Sequence, residues 1–185
     1  MTMTTQSKHI ITALVQDKPG VLNRVSSMFR RRGFNIASLA VGHSEDPALS
    51  RMTFVVEGDD EVVERVTNNL NKLIDVIKVS DISDQNSVAR ELALIRVTAS
   101  VHTRSEIMQI VDIFRANIVD VAPDSLIIEV TGDEEKVDSL HNLLRSFGLT
   151  ELMRTGTIAM SRGMSVDKSD DASDNGSRPR MEGGL

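Results

Sequence analysis

The chain has 185 residues, 40% of them hydrophobic, and two domains of roughly 70 to 80 residues fit that length better than one. A formal net charge of −6 with a pI near 5.2 argues against a dedicated nucleic-acid binder, which carries a basic surface. The absence of cysteine excludes disulfides, thiolate metal sites and a cysteine nucleophile, and with no apolar run near the roughly 20 residues of a membrane span and no signal-like start, the expected compartment is the cytoplasm.

Residues 9–15 alternate Ile10, Thr12, Leu14 with Ile11, Ala13, Val15, which suits an interior strand. The strand runs into Asp17-Lys18-Pro19-Gly20, and a helix opens directly behind it, with Val21, Leu22, Val25, Met28 and Phe29 on one apolar stripe. Arg30, Arg31 and Arg32 suit the negative end of that helix, and Gly33 is placed to terminate it. A second strand is expected over 35–41 and a third over 52–56. Gly58-Asp59-Asp60-Glu61 then starts a helix with Val62, Val63, Val66, Leu70 and Leu73 at helical spacing, and residues 74–79 make a fourth strand. The order β-α-β-β-α-β is that of a ferredoxin-like domain, an antiparallel four-stranded sheet with both helices on one face.

The same order returns. Strands are expected over 92–99, 118–121, 126–130 and 151–160, with helices marked by Ile107, Met108, Ile110, Val111, Phe114 and by Val137, Leu140, Leu143, Leu144, Phe147. Ser83-Asp84-Gln85-Asn86-Ser87 is the natural boundary, and the run from Ser165 to Leu185, rich in Ser, Asp and Gly, reads as a disordered tail. The fold class is therefore α+β, two tandem ferredoxin-like domains and a tail.

The turn before the first helix can hold an anion. The first N–H groups of a helix have no partner inside it, the dipole favours negative charge there, and Pro19 and Gly20 allow a carboxylate close to the Gly20, Val21 and Leu22 amides. Taken alone, the same turn serves as ordinary punctuation between strand and helix. The second copy has Ala99-Ser100-Val101-His102-Thr103-Arg104-Ser105 at this junction, with no glycine for close approach, which gives the two domains different tasks. Catalytic chemistry finds little support: His9, His43, His102 and His141 lack metal-ligand spacing, and no triad, Walker loop or dinucleotide fingerprint is present. Met28 and Met108 are expected in the core.

Asp17-Lys18-Pro19-Gly20-Val21-Leu22, Phe29-Arg30-Arg31-Arg32-Gly33-Phe34-Asn35-Ile36, Leu49-Ser50-Arg51-Met52-Thr53 and Asn71-Lys72-Leu73-Ile74-Asp75-Val76 resemble the amino-terminal ACT domain of the acetolactate synthase small-subunit family. Arg90-Glu91-Leu92-Ala93-Leu94-Ile95, Phe114 to Val121, Arg154-Thr155-Gly156 and Ser161-Arg162-Gly163 resemble that family's carboxy-terminal domain. The resemblance implies an ACT amino-acid-sensing domain over 8–82, a linker over 83–89, a carboxy-terminal small-subunit domain over 90–163 and a tail over 164–185. It further implies a non-catalytic regulatory subunit that activates a large catalytic subunit and confers feedback inhibition by valine in branched-chain amino-acid biosynthesis. Thiamine diphosphate, magnesium and FAD are then expected only in the catalytic partner. Carried over by position, the valine site comprises Asp17, Lys18, Pro19, Gly20, Val21, Leu22, Asn35 and Ile36 at a homodimer interface between ACT domains, with neither nucleic acid nor membrane as a partner. The second domain becomes the candidate for dimer stabilisation and activating contact. Two alternatives remain at this stage: an ACT-type sensor serving another metabolic enzyme, and an acylphosphatase-like hydrolase, whose phosphate-cradling loop and arginine are replaced here by Lys18 and Pro19.

Overall fold

The computed structural model describes residues 7–83 and 86–163. The first unit runs β1 (Ser7–Gln16), α1 (Val21–Arg32), β2 (Ile36–His43), β3 (Leu49–Gly58), α2 (Asp60–Leu70) and β4 (Val76–Asp81). Its antiparallel sheet has the order β2-β3-β1-β4, so the two strands joined by the shortest connection pair, and the first strand takes the centre beside β3. This is the ferredoxin-like topology the sequence predicts.

The alternation of β1 puts Ile11, Ala13 and Val15 under the helices, against Val21, Val25, Met28 and Phe29 of α1 and Val63, Val66 and Leu70 of α2. Phe29 stacks on Phe54 of β3 with ring centroids 5.3 Å apart, and Phe34 meets the edge of Phe29 at 6.3 Å. Gly33 closes α1 in the left-handed conformation (φ 71°), with Phe34 N–H donating to the Phe29 carbonyl, so the arginine run ends the helix exposed. Asp59 caps α2 by accepting from the Val62 amide at 2.9 Å.

The second unit comprises β5 (Ser87–Thr98), α3 (Arg104–Ile113), β6 (Asn117–Val121), β7 (Ser125–Gly132), α4 (Glu134–Leu144), β8 (Leu149–Arg154) and β9 (Ile158–Ser161), with a short 3-10 turn over Arg145–Phe147. The sheet order β6-β7-β5-β8 repeats that of the first, around a core of Ala93, Ile95, Val97, Ile128, Leu140 and Leu144 among others. Three details differ from the sequence reading. The single strand expected over 151–160 breaks at Thr155-Gly156-Thr157, where Gly156 has φ 80°: β8 pairs with the body of β5, and β9 pairs with its extension, Ser87↔Ser161 to Arg90↔Ile158. Residues 87–89, within the segment expected to link the domains, are thus strand. Met108 lies 47% exposed and not in the core, because it sits about 100° around α3 from Ile107. The expected tail, 164–185, and Asp84-Gln85 of the boundary lie outside the described residues.

The β5–β9 extension lies over the face of the first sheet that α1 and α2 leave uncovered. Met52, Phe54 and Val56 of β3 face the helices, and Thr53 and Val55, which point the other way, are also buried. Ile10 and Val55 line one cavity with Ala89, Arg90 and Thr157, placing the extension opposite that face.

Candidate functional site

The turn after β1 is built from backbone up. Gln16 N–H donates to the Asp75 carbonyl and Asp17 N–H to the Ala48 carbonyl, each at 2.8 Å, which pins the end of the strand. Val21 N–H then closes on the Lys18 carbonyl at 3.3 Å around Pro19 and Gly20, with Gly20 at φ 90°, ψ −8°. That is a type II turn: proline supplies φ at its second position and the third requires a positive φ that glycine adopts without cost. The closure commits the Val21 amide to the turn, and leaves the Gly20 and Leu22 amides for an anion. Nothing lies within 4 Å of where a Gly20 Cβ would stand, so the approach to the backbone is open.

Electrostatically, α1 differs from the other helices among the described residues. Asp59 and Asp133 cap α2 and α4, with Asp60-Glu61 and Glu134-Glu135 in their first turns, and α3 carries Glu106. Helix α1 starts on Gly20, with no side-chain cap and no acidic residue in its first turn. The nearby buried carboxylate, Asp75, is engaged by Arg24 Nη1 at 2.5 Å, so the first turn itself carries no acidic group against its positive end. The matching junction in the second domain is filled from within: Ser100 and Thr103 bond each other and each other's amides, and the Arg104 guanidinium donates to the Ala122 and Pro123 carbonyls at 2.7 and 2.9 Å. The missing glycine in that segment was the sequence signal; the plugging arginine was not readable from it.

The eight predicted site residues fall into two groups that one chain does not bring together. Asp17 to Leu22 lie at the end of the sheet where Gln16 pairs with Leu49 and His43 with Ser50, and Asp17 Oδ2 is 3.2 Å from His43 Nδ1. Asn35 and Ile36 lie at the opposite end of β2, where Ile36 pairs with Val56 and His9 with the same residue. Seven residues of strand, on the order of 23 Å, separate the two ends. Leu22 is half exposed, Asn35 is exposed, and Ile36 is partly buried against the core. Of the other histidines, His9 is buried and shares a 2.7 Å hydrogen bond with Ser7 Oγ. Among the described residues no group of three or more His, Asp or Glu side chains gathers into a metal site, and no helix is long and apolar enough to cross a membrane.

Two ferredoxin-like units, one with a glycine-opened helix start and one with that start plugged, define a tandem α+β protein of the ACT type. Residues 11–78 match the family model of the AHAS small subunit-like ACT domain, and residues 90–163 match that of the small subunit of acetolactate synthase. The chain belongs to the acetolactate synthase small-subunit family. It is 61% identical over 156 residues to a probable acetolactate synthase small subunit of Archaeoglobus fulgidus, covering 84% of this chain and 98% of that one. Against the acetolactate synthase small subunit of Bacillus subtilis the identity is 49% over 158 residues, with 84% and 91% covered. The crystal structure of the acetolactate synthase small subunit from Thermotoga maritima superposes with a TM-score of 0.80 at 43% identity, over 85% of this chain and 99% of that one.

Proposed function

We propose that this chain is the regulatory subunit of an acetolactate synthase, which binds the large catalytic subunit, raises its activity and makes it sensitive to feedback inhibition by valine. Membership of the family, with both domains matched, supports the pairing with a catalytic subunit. Thiamine diphosphate, magnesium and FAD belong, on this reading, to that partner, and this chain supplies no catalytic residue.

The observation that carries the effector site is the bare start of α1. The Gly20 and Leu22 amides and the helix dipole receive the valine carboxylate, in a place where the other helices carry their own aspartates and glutamates. Asn35 accepts from the ammonium group, and Leu22 with Ile36 enclose the isopropyl group. Because Asn35 and Ile36 stand at the far end of β2 from the turn, the two halves of the site come from two copies of the chain. Strand β2 is an edge strand, paired on one side with β3, and an antiparallel partner strand along its other side brings the partner's Asn35 and Ile36 toward this turn. A ligand shared between copies is sensitive to their relative rotation, and a typical coupling of about 1–3 kcal/mol changes affinity or activity several-fold to a hundred-fold.

Isothermal titration of the purified chain with valine tests this reading, with Gly20→Asp as control and the reconstituted enzyme assayed in parallel. Saturable binding in the micromolar-to-millimolar range, lost in Gly20→Asp together with inhibition but not activation, is the expected result. A Gly20→Asp enzyme that stays as valine-sensitive as the parent removes the site from this turn.

A further inference from the structure

Besides the surface ion pair between Lys8 and Glu134, the two domains meet in a small polar contact beside two grooves. Thr157 N–H donates to Ser38 Oγ at 2.9 Å, and the neighbouring Gly156 lies so close to β2 that a Cβ on it would stand 2.7 Å from Ser38 Oγ and 3.2 Å from the Leu39 carbonyl oxygen. On one side a groove of ≈ 600 Å³ separates Ala40, Gly42 and Thr53 of the first sheet from Val88, Ile158 and Met160 of the extension. On the other, a groove of ≈ 370 Å³ runs between Ala37 and Leu39 and the Glu91–Arg154 pair. Packed interiors leave few voids larger than a water molecule, so a contact with open space on both flanks behaves as a pivot and not as a welded face.

Both sides of this pivot lead somewhere. On the first domain, Ser38 lies two residues beyond Ile36, and the β2–β3 register shifts between Ile36 and Ser38, a bulge at Ala37 that bends the strand where the contact is made. On the second, Gly156 and Thr157 follow Arg154, whose guanidinium is held by Glu91 of β5 and Asp138 of α4. One hydrogen bond and one close backbone approach thus stand between the bulge of β2 and the Glu91–Arg154–Asp138 cluster of the second domain.

We propose that the Ser38–Gly156–Thr157 contact is the latch by which occupancy of the wall formed by Asn35 and Ile36 sets the angle between the domains. This rests on the valine reading given above. Valine ordering Asn35 and Ile36 holds the bulge in the geometry that keeps Ser38 Oγ under the Thr157 amide, and the domain arrangement so fixed is the inhibited one. By linkage, breaking the latch weakens valine binding by the same factor as valine strengthens the latch.

The test uses the full chain, reconstituted with its catalytic subunit, as parent, Ser38→Ala, Ser38→Thr and Gly156→Ala, each assayed with and without saturating valine. Ser38→Ala removes only the acceptor, so it keeps the test valid if the strained Gly156→Ala chain does not fold. The expected result is unchanged activation without valine, saturable but weaker valine binding, and residual activity at saturating valine raised about fivefold in Ser38→Ala and Gly156→Ala, a shift at the lower end of ordinary coupling. Ser38→Thr, which keeps a hydroxyl, restores the parent plateau, and the Thr157 amide exchanges more slowly with valine in the parent but not in Ser38→Ala. Ser38→Ala enzyme inhibited to the parent's plateau overturns the latch alone. A parent chain that neither binds valine nor is inhibited by it overturns the effector reading and the latch with it, and that outcome is read without any variant.

Discussion

Arg154 of β8 grips Glu91 of β5 with two nitrogens, Nη2 and Nε, the latter at 3.2 Å from Oε2, while its Nη1 donates to Asp138 of α4 at 2.7 Å. Glu91 is 5% exposed. The hydrogen bonds to Glu91, outweighing the cost of burial, hold the guanidinium above even its ordinary basic range, so the arginine is charged at any working pH. Removing one partner of such a pair strands the other: Arg154→Leu should destabilise the second domain by about 3 kcal/mol, the low end for a buried pair because the arginine is partly solvated. The Glu91→Gln/Arg154→Leu double variant should recover part of that loss. Urea unfolding of the three chains measures it, and a near-neutral Arg154→Leu would show that the pair is dispensable.

The aromatic centre of the first domain makes a separable prediction. Phe54 is fully buried and stacked on Phe29, and Phe54→Ala should cost about 3–5 kcal/mol through lost burial and the cavity left behind. Leu140→Ala, in the other core, should cost about 2–5 kcal/mol. Since the domains have separate cores, each change should lower the unfolding transition of its own domain and broaden or split the overall curve in calorimetry. A single sharp transition shifted equally by both would mean the domains unfold as one.

These cores were legible in the sequence because each element announces itself locally. Gly33 stops α1 where the apolar stripe ends, Asp59 and Asp133 precede helical spacing by the distance a cap requires, and Pro19-Gly20 demands the turn it makes. What was not legible depends on partners far away in the chain. Thr155-Gly156-Thr157 reads as strand interior, since its β-branched residues favour extended backbone; the break there is a one-residue slip in register along the same strand β5, from Ala93↔Arg154 to Arg90↔Ile158, taken up where Gly156 has a positive φ and Thr157 meets Ser38. The residues of the candidate site were picked out by position, yet the 23 Å or so between Asn35 and the turn follows only from strand register, which a one-dimensional pattern does not state.

Gly20 offers a way to separate backbone strain from ligand chemistry. Its φ of 90° is costly for any residue with a Cβ, while the space around that Cβ is open. Gly20→Ala should therefore lose about 1–2 kcal/mol of stability by strain alone and still bind valine, more weakly than the parent. Gly20→Asp adds a negative charge beside the amides and should abolish binding at a similar stability cost. Urea unfolding and titration calorimetry on the same two proteins check this, and equal loss of binding in both would assign the effect to strain.

The ion pair between the domains should prove minor beside the Ser38 contact. Lys8 Nζ lies 2.6 Å from Glu134 Oε1, with both side chains close to half exposed. The hydrogen bond to Glu134 raises the lysine pKa above its ordinary value. A raised folded-state pKa means that the stabilisation is fully present below the unfolded lysine's pKa, about 10.4, and disappears as pH rises through the folded value. Solvent screening limits it to at most about 1 kcal/mol. Lys8→Met should thus lower stability slightly at pH 7, lose that difference once the pH passes the lysine's raised folded-state pKa or in about 1 M salt, and leave valine inhibition of the reconstituted enzyme unchanged. A Lys8→Met enzyme with the loss of inhibition expected of Ser38→Ala would instead make the surface pair, and not the pivot beneath it, the link between the domains.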